Sequence, residues 1–227
     1  MRHIGIAGVT AEGAAIVLQQ ICRISEHSIG LHENPEITLH MFSFAEHVNA
    51  GPDRLDTWAS LLEASAAKLH ASGADFMICP SNTPHEVYDR VASRLPIPWI
   101  SITHAVRTEA DARGLRRPLL LGTRYTAASG VYDRAFASAA SLVAPSPAET
   151  DRIHEIITGE LVRGIRSGES SDYLATLIRR HAESGGDAVI LGCTELPMVV
   201  DDANSALPLL DSTKILAATA VEYALDD

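Results

Sequence analysis

The chain has 227 residues, enough for one large domain or two of about 110, since domains commonly run to about 100–150 residues. A formal net charge of −11 and no local Lys/Arg cluster argue against phosphate backbones and anionic lipid as partners. With 46% hydrophobic residues and no apolar run near the ~20 that cross a bilayer, the sequence reads as a soluble globular protein. Three widely spaced cysteines, Cys22, Cys79 and Cys193, do not make a disulfide framework, and the first residues enter a short apolar strand without a signal-peptide pattern. Both features place the expected compartment in the cytoplasm.

Short apolar runs alternate with helical patterns along the whole chain. His3–Gly8 (HIGIAG) precedes a helix from about Ala11, and Ile37–Phe44 (ITLHMFSF) precedes one from about Asp53 to Ala71. Phe76–Ser81 (FMICPS) leads to a helix over Glu86–Arg94, Pro98–Thr103 (PWISIT) to one over Ala105–Arg113, and Pro118–Thr123 (PLLLGT) to one over Ala127–Ala140. The run SLVAP (Ser141–Pro145) follows, then helices over Pro147–Arg163 and Asp172–Ser184, then AVILGC (Ala188–Cys193) and PLLDS (Pro208–Ser212). Strands of this length separated by helices predict an α/β fold with parallel sheets covered on both faces.

The chain is also weakly self-similar. Ser72-Gly73-Ala74-Asp75, an apolar strand and Ser81 match Ser184-Gly185-Gly186-Asp187, an apolar strand and Cys193, 112 residues later. Pro98–Thr103 matches Pro208–Thr213 at 110, and Gly8-Val9-Thr10-Ala11 loosely matches Gly122-Thr123 through Thr126-Ala127. The competing explanation is a chance match of Gly-Asp patterns. Agreement among the three offsets favours duplication: two pseudo-symmetric α/β halves, residues 1–101 plus 214–227 and residues 102–213, with the active site in the cleft between them. Ser81-Asn82-Thr83 and Cys193-Thr194-Glu195 then lie at the carboxyl ends of strands, where backbone amides can wrap a carboxylate.

Motifs of the form Ser81-Asn82-Thr83-x-His85 after one strand and ILGCTELP (Ile190–Pro197) after another resemble the aspartate/glutamate racemase superfamily, with LLGTRYT (Leu120–Thr126) typical of its amino-acid racemase branch. The resemblance covers nearly the whole chain. It implies racemisation without pyridoxal phosphate or any other cofactor: two cysteines flank the substrate Cα, one removing the proton and the other returning one. Cys193 matches the second cysteine. At the first position this chain has Ser81, and a hydroxyl is a far weaker acid than a thiol. Three readings of that departure stand: a native hydroxyl that makes a one-sided enzyme, a replaced cysteine, or a role for Cys79, which lies on the same side of the strand but roughly 6–7 Å deeper.

His85 matches a family histidine near the first base and either polarises Ser81 or relays its proton, or is a partly exposed residue at a helix start; Glu195 either orients Cys193 or accepts its proton, or only favours a helix N-terminus. The resemblance further implies that Val9, Thr10, Thr123 and Thr126 line the substrate site, where the side chains of Asn82, Thr83 and Thr194 can add to the strand-tip amides around a carboxylate. Asn49 and Arg54 fall in HVNAGPDR, where the family holds a distal carboxylate; Val162 aligns with a basic residue of aspartate-specific members, Arg163 lying one place further. A homodimer is expected on the same ground alone. No metal-ligand pattern, phosphate loop or full dinucleotide fingerprint occurs, and only Lys68 and Lys214 are available for a Schiff base. The expected function is racemisation of aspartate or glutamate, the rivals being a one-thiol decarboxylase or isomerase of the same superfamily and a catalytically impaired dicarboxylate-binding homologue.

Overall fold

Strand β1, Ile4–Gly8, is buried at all five positions, which requires cover on both faces of its sheet. In the computed structural model, which describes residues 1–137 and 141–226, helices supply that cover. Helix α1 (Ala11–Ile29) starts where the Thr10 hydroxyl accepts the Gly13 N–H at 3.2 Å, and buries Gly13, Val17, Ile21 and Ser25, four residues apart on one face. Strand β2 (Ile37–Met41) pairs in parallel with β1 and is half exposed. Short α2 (Phe44–Val48) and long α3 (Arg54–Ala71) follow, then β3 (Phe76–Ile78), a 3-10 turn over Thr83–Val87, α4 (Tyr88–Val91) and β4 (Trp99–Ile100). The first sheet is parallel in the order β2-β1-β3-β4.

Alternation along its strands sorts two cores. Ile4, Ile6, Phe76 and Ile78 pack with Val17 and Ile21 of α1, whereas Ala7, Val9, Met77 and Cys79 pack with Ala59, Leu62, Ala66 and Leu69 of α3.

Helix α5 (Ile102–Ala112) leads into β5 (Pro118–Leu121), α6 (Arg124–Ser129), α7 (Val131–Phe136), α8 (Pro147–Glu155), α9 (Gly168–Glu183), β6 (Ala188–Leu191) and β7 (Leu209–Asp211). The second sheet is parallel in the order β5-β6-β7, and a parallel bridge joins Val143 to Leu119 of β5. Its core gathers Leu119, Leu121, Val189 and Leu191 with Ile153, Leu174 and Ile178. Helix α10 (Ser212–Leu225) returns to the first sheet, where Leu216, Ala217, Ala220, Val221 and Ala224 join the α1-side core. The chain thus forms two compact units, Met1–Ala105 with Thr213–Asp227, and Val106–Ser212. No helix among the described residues is long and apolar enough to cross a membrane.

Several helices differ from the sequence expectation for local reasons. Over Glu86–Arg94 there is a 3-10 turn, α4 and a second 3-10 turn: Pro84 starts the first turn early, and Pro96 holds Leu95 extended at ψ 148°, leaving room for one α turn. The helix expected over Ala127–Ala140 begins at Arg124, because Thr123 caps it, and breaks at Gly130 (φ 65°); residues 138–140 lie outside the described residues. The one expected over Pro147–Arg163 is α-helical to Glu155, widens into a π turn over Ile156–Glu160 and closes in a 3-10 turn before Gly164 (φ 74°). Helix α9 starts four residues early, at the Ser167 cap.

Candidate active site

The first strand tip lies in the first unit. Beyond β3, Cys79 is fully buried in the α3-side core, and desolvation pushes its thiol up to about 12 against a hydrogen bond from the Ser81 backbone. It is a core residue rather than a base. Ser81 is half-buried, and among the described residues its hydroxyl has no hydrogen-bond partner. Its carbonyl accepts a hydrogen bond from His85 Nδ1 at 2.9 Å, while His85 Nε2 accepts the Ile102 N–H at 3.1 Å. Both ring nitrogens are therefore committed to the backbone, with the proton on Nδ1. Burial, only partly offset by the Ser81 and Asn82 backbone bonds, lowers the His85 pKa to about 3. The expected polarisation of the Ser81 hydroxyl is thus not what the ring does; it ties the tip to the first turn of α5. The adjacent Asn82 is buried, and half-buried Thr83 opens the 3-10 turn.

The second strand tip lies in the second unit. Gly192 donates its N–H to Leu121 O at 2.7 Å, and a Cβ there would sit 3.0 Å from that oxygen and 3.1 Å from Leu120 Cδ1, so the close approach of the two strand ends favours glycine. Half-buried Cys193 donates its Sγ–H to Glu195 Oε2 at 2.9 Å. Desolvation first, then the charge and hydrogen bond of Glu195, hold this thiol well above its usual pKa, against backbone hydrogen bonds from Glu195 and Thr194. Amide donation, which favours the thiolate, is thus outweighed. The proton therefore stays on sulfur, hydrogen-bonded to the Glu195 carboxylate.

Threonines flank each first strand. Thr10 caps α1; Thr123 caps α6, accepting the Thr126 N–H at 3.2 Å and meeting the Thr126 hydroxyl at 3.2 Å. Thr126 is buried, its Cγ2 3.6 Å from where a Gly192 Cβ would lie, so the Thr123–Thr126 cap sits against the glycine that precedes Cys193. Val9 is buried in the α3-side core. Asn49 is exposed at the end of α2, its N–H bonded to Ala45 O. Val162 is exposed beside Arg163. Sequence reading singled out no role for Ser212, whose hydroxyl donates to Leu191 O at 2.8 Å and braces the end of β6; the 98–103/208–213 repeat was the available signal. Among the described residues no three His, Cys, Asp or Glu side chains group to hold a metal ion.

At the carboxyl edge of the second parallel sheet the structure thus places a thiol hydrogen-bonded to a carboxylate, an arrangement in which a proton can pass between the two. The description of the Asp/Glu/Hydantoin racemase family matches residues 6–220, and the chain belongs to that family, a class of isomerases. A curated relative, the broad specificity amino-acid racemase RacX of Bacillus subtilis, is 24% identical over 160 residues, 70% of this chain and 69% of its own length. Among solved structures, an aspartate racemase homologue from Pyrococcus horikoshii OT3 is 30% identical with a TM-score of 0.91, and a candidate Asp/Glu racemase of Yersinia pestis is 27% identical with a TM-score of 0.93; each alignment covers 100% of both chains.

Proposed function

We propose that the chain interconverts the enantiomers of an α-amino acid, with Cys193 and Glu195 as the acid–base pair and Ser81 as the opposite member. The observation that carries this reading is the 2.9 Å hydrogen bond from Cys193 Sγ to Glu195 Oε2. Glu195 takes the thiol proton, leaving thiolate and a neutral carboxylic acid. The thiolate then removes the Cα proton, and the electron pair left behind delocalises into the substrate carboxylate, which the amides at the strand tips stabilise. A substrate ammonium group beside the pair lowers the cost of forming the thiolate. Return of a proton on the other face falls to the Ser81 hydroxyl, whose alkoxide regains a proton from water as the Glu195 carboxylic acid releases one to water, and no cofactor is needed.

Among the described residues the Ser81 hydroxyl has no hydrogen-bonded base, so the reading is asymmetric: the enantiomer whose α-proton meets Cys193 exchanges readily, the other slowly. The test follows α-proton exchange in deuterated water with each enantiomer of aspartate, glutamate and neutral amino acids. Deuterium entry that is faster from one hand supports the proposal; no exchange from any of them sinks it. The lone thiol also favours a second reading, protonation of an enediolate after loss of carbon dioxide, which gas release from a disubstituted malonate would reveal. A homodimer in the cytoplasm belongs to the first reading, and sedimentation measures the oligomeric part of it.

A further inference from the structure

The peptide bond between Leu191, the last residue of β6, and Gly192 is held on both of its edges. Its N–H donates to Leu121 O of β5 at 2.7 Å, and its carbonyl accepts the hydroxyl of Ser212, the first residue of α10, at 2.8 Å. Two bonds on opposite sides of one planar unit fix its tilt, and Cys193 is the residue that follows it. Ser212 is fully buried, and so is Tyr132 of α7, whose hydroxyl hydrogen-bonds the Ser212 side chain. Burial holds the Tyr132 phenol above its usual pKa, so it keeps its proton; Ser212 gives its own to Leu191 O, which makes Tyr132 the donor between the two. The links from Tyr132 through Ser212 to the Leu191 carbonyl polarise one another away from water.

We propose that Ser212 and Tyr132 are positioning residues for Cys193: through the Leu191–Gly192 peptide they hold the strand tip in the orientation that sets the thiol against Glu195 Oε2. The inference rests on the racemase reading, in which that contact passes the proton. Loss of the Ser212 hydroxyl takes the side-chain donor from Leu191 O, lets the peptide tilt and carries Sγ away from Glu195, whose charge and hydrogen bond both raise the thiol pKa.

The test compares the unaltered chain with Ser212→Ala, Tyr132→Phe and the double variant. Ser170→Ala serves as control, since it removes another fully buried hydroxyl of the same unit, one bonded to Glu160 at 2.7 Å. Two quantities are measured: α-proton exchange kinetics in deuterated water, and the pH midpoint for alkylation of Cys193 by iodoacetamide, followed by the mass of the peptide that carries it. Ser212→Ala is expected to lower kcat about tenfold or more with KM within about threefold, as a misplaced reacting group does. Its alkylation midpoint falls by about half a pH unit or more as the thiol leaves Glu195. Tyr132→Phe moves both quantities the same way by less, and the double variant is no worse than Ser212→Ala, because the two hydroxyls act in series. An unchanged midpoint in Ser212→Ala overturns the proposal, and so does an equal shift in Ser170→Ala, either of which would reduce the hydroxyl to a matter of stability. If Ser212→Ala does not fold, Tyr132→Phe, which keeps the ring, decides by the same two measurements. If the unaltered chain exchanges no amino acid, the racemase reading fails, and the alkylation midpoint still decides whether Ser212 sets the contact between Cys193 and Glu195.

Discussion

The turn after β3 and the turn after β6 hold the same topological place in their sheets and rest on matching scaffolds. In the first unit, Gly73 (φ 92°) ends α3, Asp75 N–H bonds His3 O at 2.9 Å, and the Asp75 carboxylate accepts the His3 N–H at 2.7 Å. In the second, Gly185 (φ 84°) ends α9, Asp187 N–H bonds Arg117 O at 3.3 Å, and its carboxylate accepts the Arg116 and Arg117 N–H groups at 2.5 and 2.8 Å. Met77 bonds Pro98 O at 2.8 Å, and Val189 bonds Pro208 O at 2.9 Å. The likeness stops at the side chains of Ser81 and Cys193. The Cys193 thiol has Glu195; the Ser81 hydroxyl has no partner among the described residues, and the nearby imidazole is spent on backbone. The fold fixes where two groups stand, and the neighbours of each decide whether a proton can leave it.

Removing the reactive atom of the second tip is the strongest way to break the comparison. Cys193→Ala is expected to cut α-proton exchange by about a thousandfold or more for both enantiomers, since no other described thiol stands at that strand tip. A variant that keeps a tenth of the activity would place the base elsewhere. Glu195→Gln comes next, with a loss of about a hundredfold. It also makes a prediction that separates charge from proton transfer. Without the adjacent negative charge, the Cys193 pKa falls back toward the ordinary range, although desolvation, its largest cause, remains. Alkylation of Cys193 by iodoacetamide at pH 8 should therefore quicken while exchange slows. Both rates falling together would make Glu195 a structural partner only.

Converting the first tip into the chemistry of the second sharpens the contrast at a smaller scale. Ser81→Cys is expected to raise exchange of the slower enantiomer about tenfold and leave the faster one within about threefold, because a thiol is the better acid even without a carboxylate beside it. Nuclear magnetic resonance in deuterated water reads both hands. Equal acceleration of the two would mean that Ser81 does not act on one face.

The duplication that frames these tests was legible because its signals are local. A Gly-Asp step before an apolar run marks a helix end, a turn and a strand start wherever it occurs, so Ser81 and Cys193 could be matched from spacing alone. Helix α10 was invisible to the same reading: it is apolar on nearly all sides, and its amphipathic stripe vanishes because several faces are covered. The Cys193–Glu195 contact was within reach of sequence, two residues apart in one turn. The partners of His85 were not, since Ile102 is 17 residues away and meets the ring only once β4 lies beside β3.

That imidazole carries the smallest predicted effect and the one most confined to a single half. Its folded-state pKa is depressed to about 3, chiefly by desolvation, whereas an unfolded histidine titrates near ~6.5. Between those values the unfolded chain binds the extra proton, so the stability His85 contributes is present above pH ~6.5 and is lost as pH falls toward 3, by about 2 kcal/mol between pH 6.5 and 5. His40, His47 and His154 are also lowered by burial, so the total slope is shared, and the difference between the unaltered chain and His85→Gln isolates this group. In urea unfolding the variant should be weaker by about 1–3 kcal/mol at pH 7, from a lost buried hydrogen bond, with the gap closing by pH 5. A gap that stays constant with pH would mean the ring is not held neutral. The position 112 residues on is Pro197, which cannot titrate, and the end of β6 is braced instead by the Ser212 hydroxyl on Leu191 O. Acid should therefore loosen the Ser81 turn before the Cys193 turn, and amide hydrogen exchange at pH 5 should show residues 85–102 losing protection ahead of 192–200.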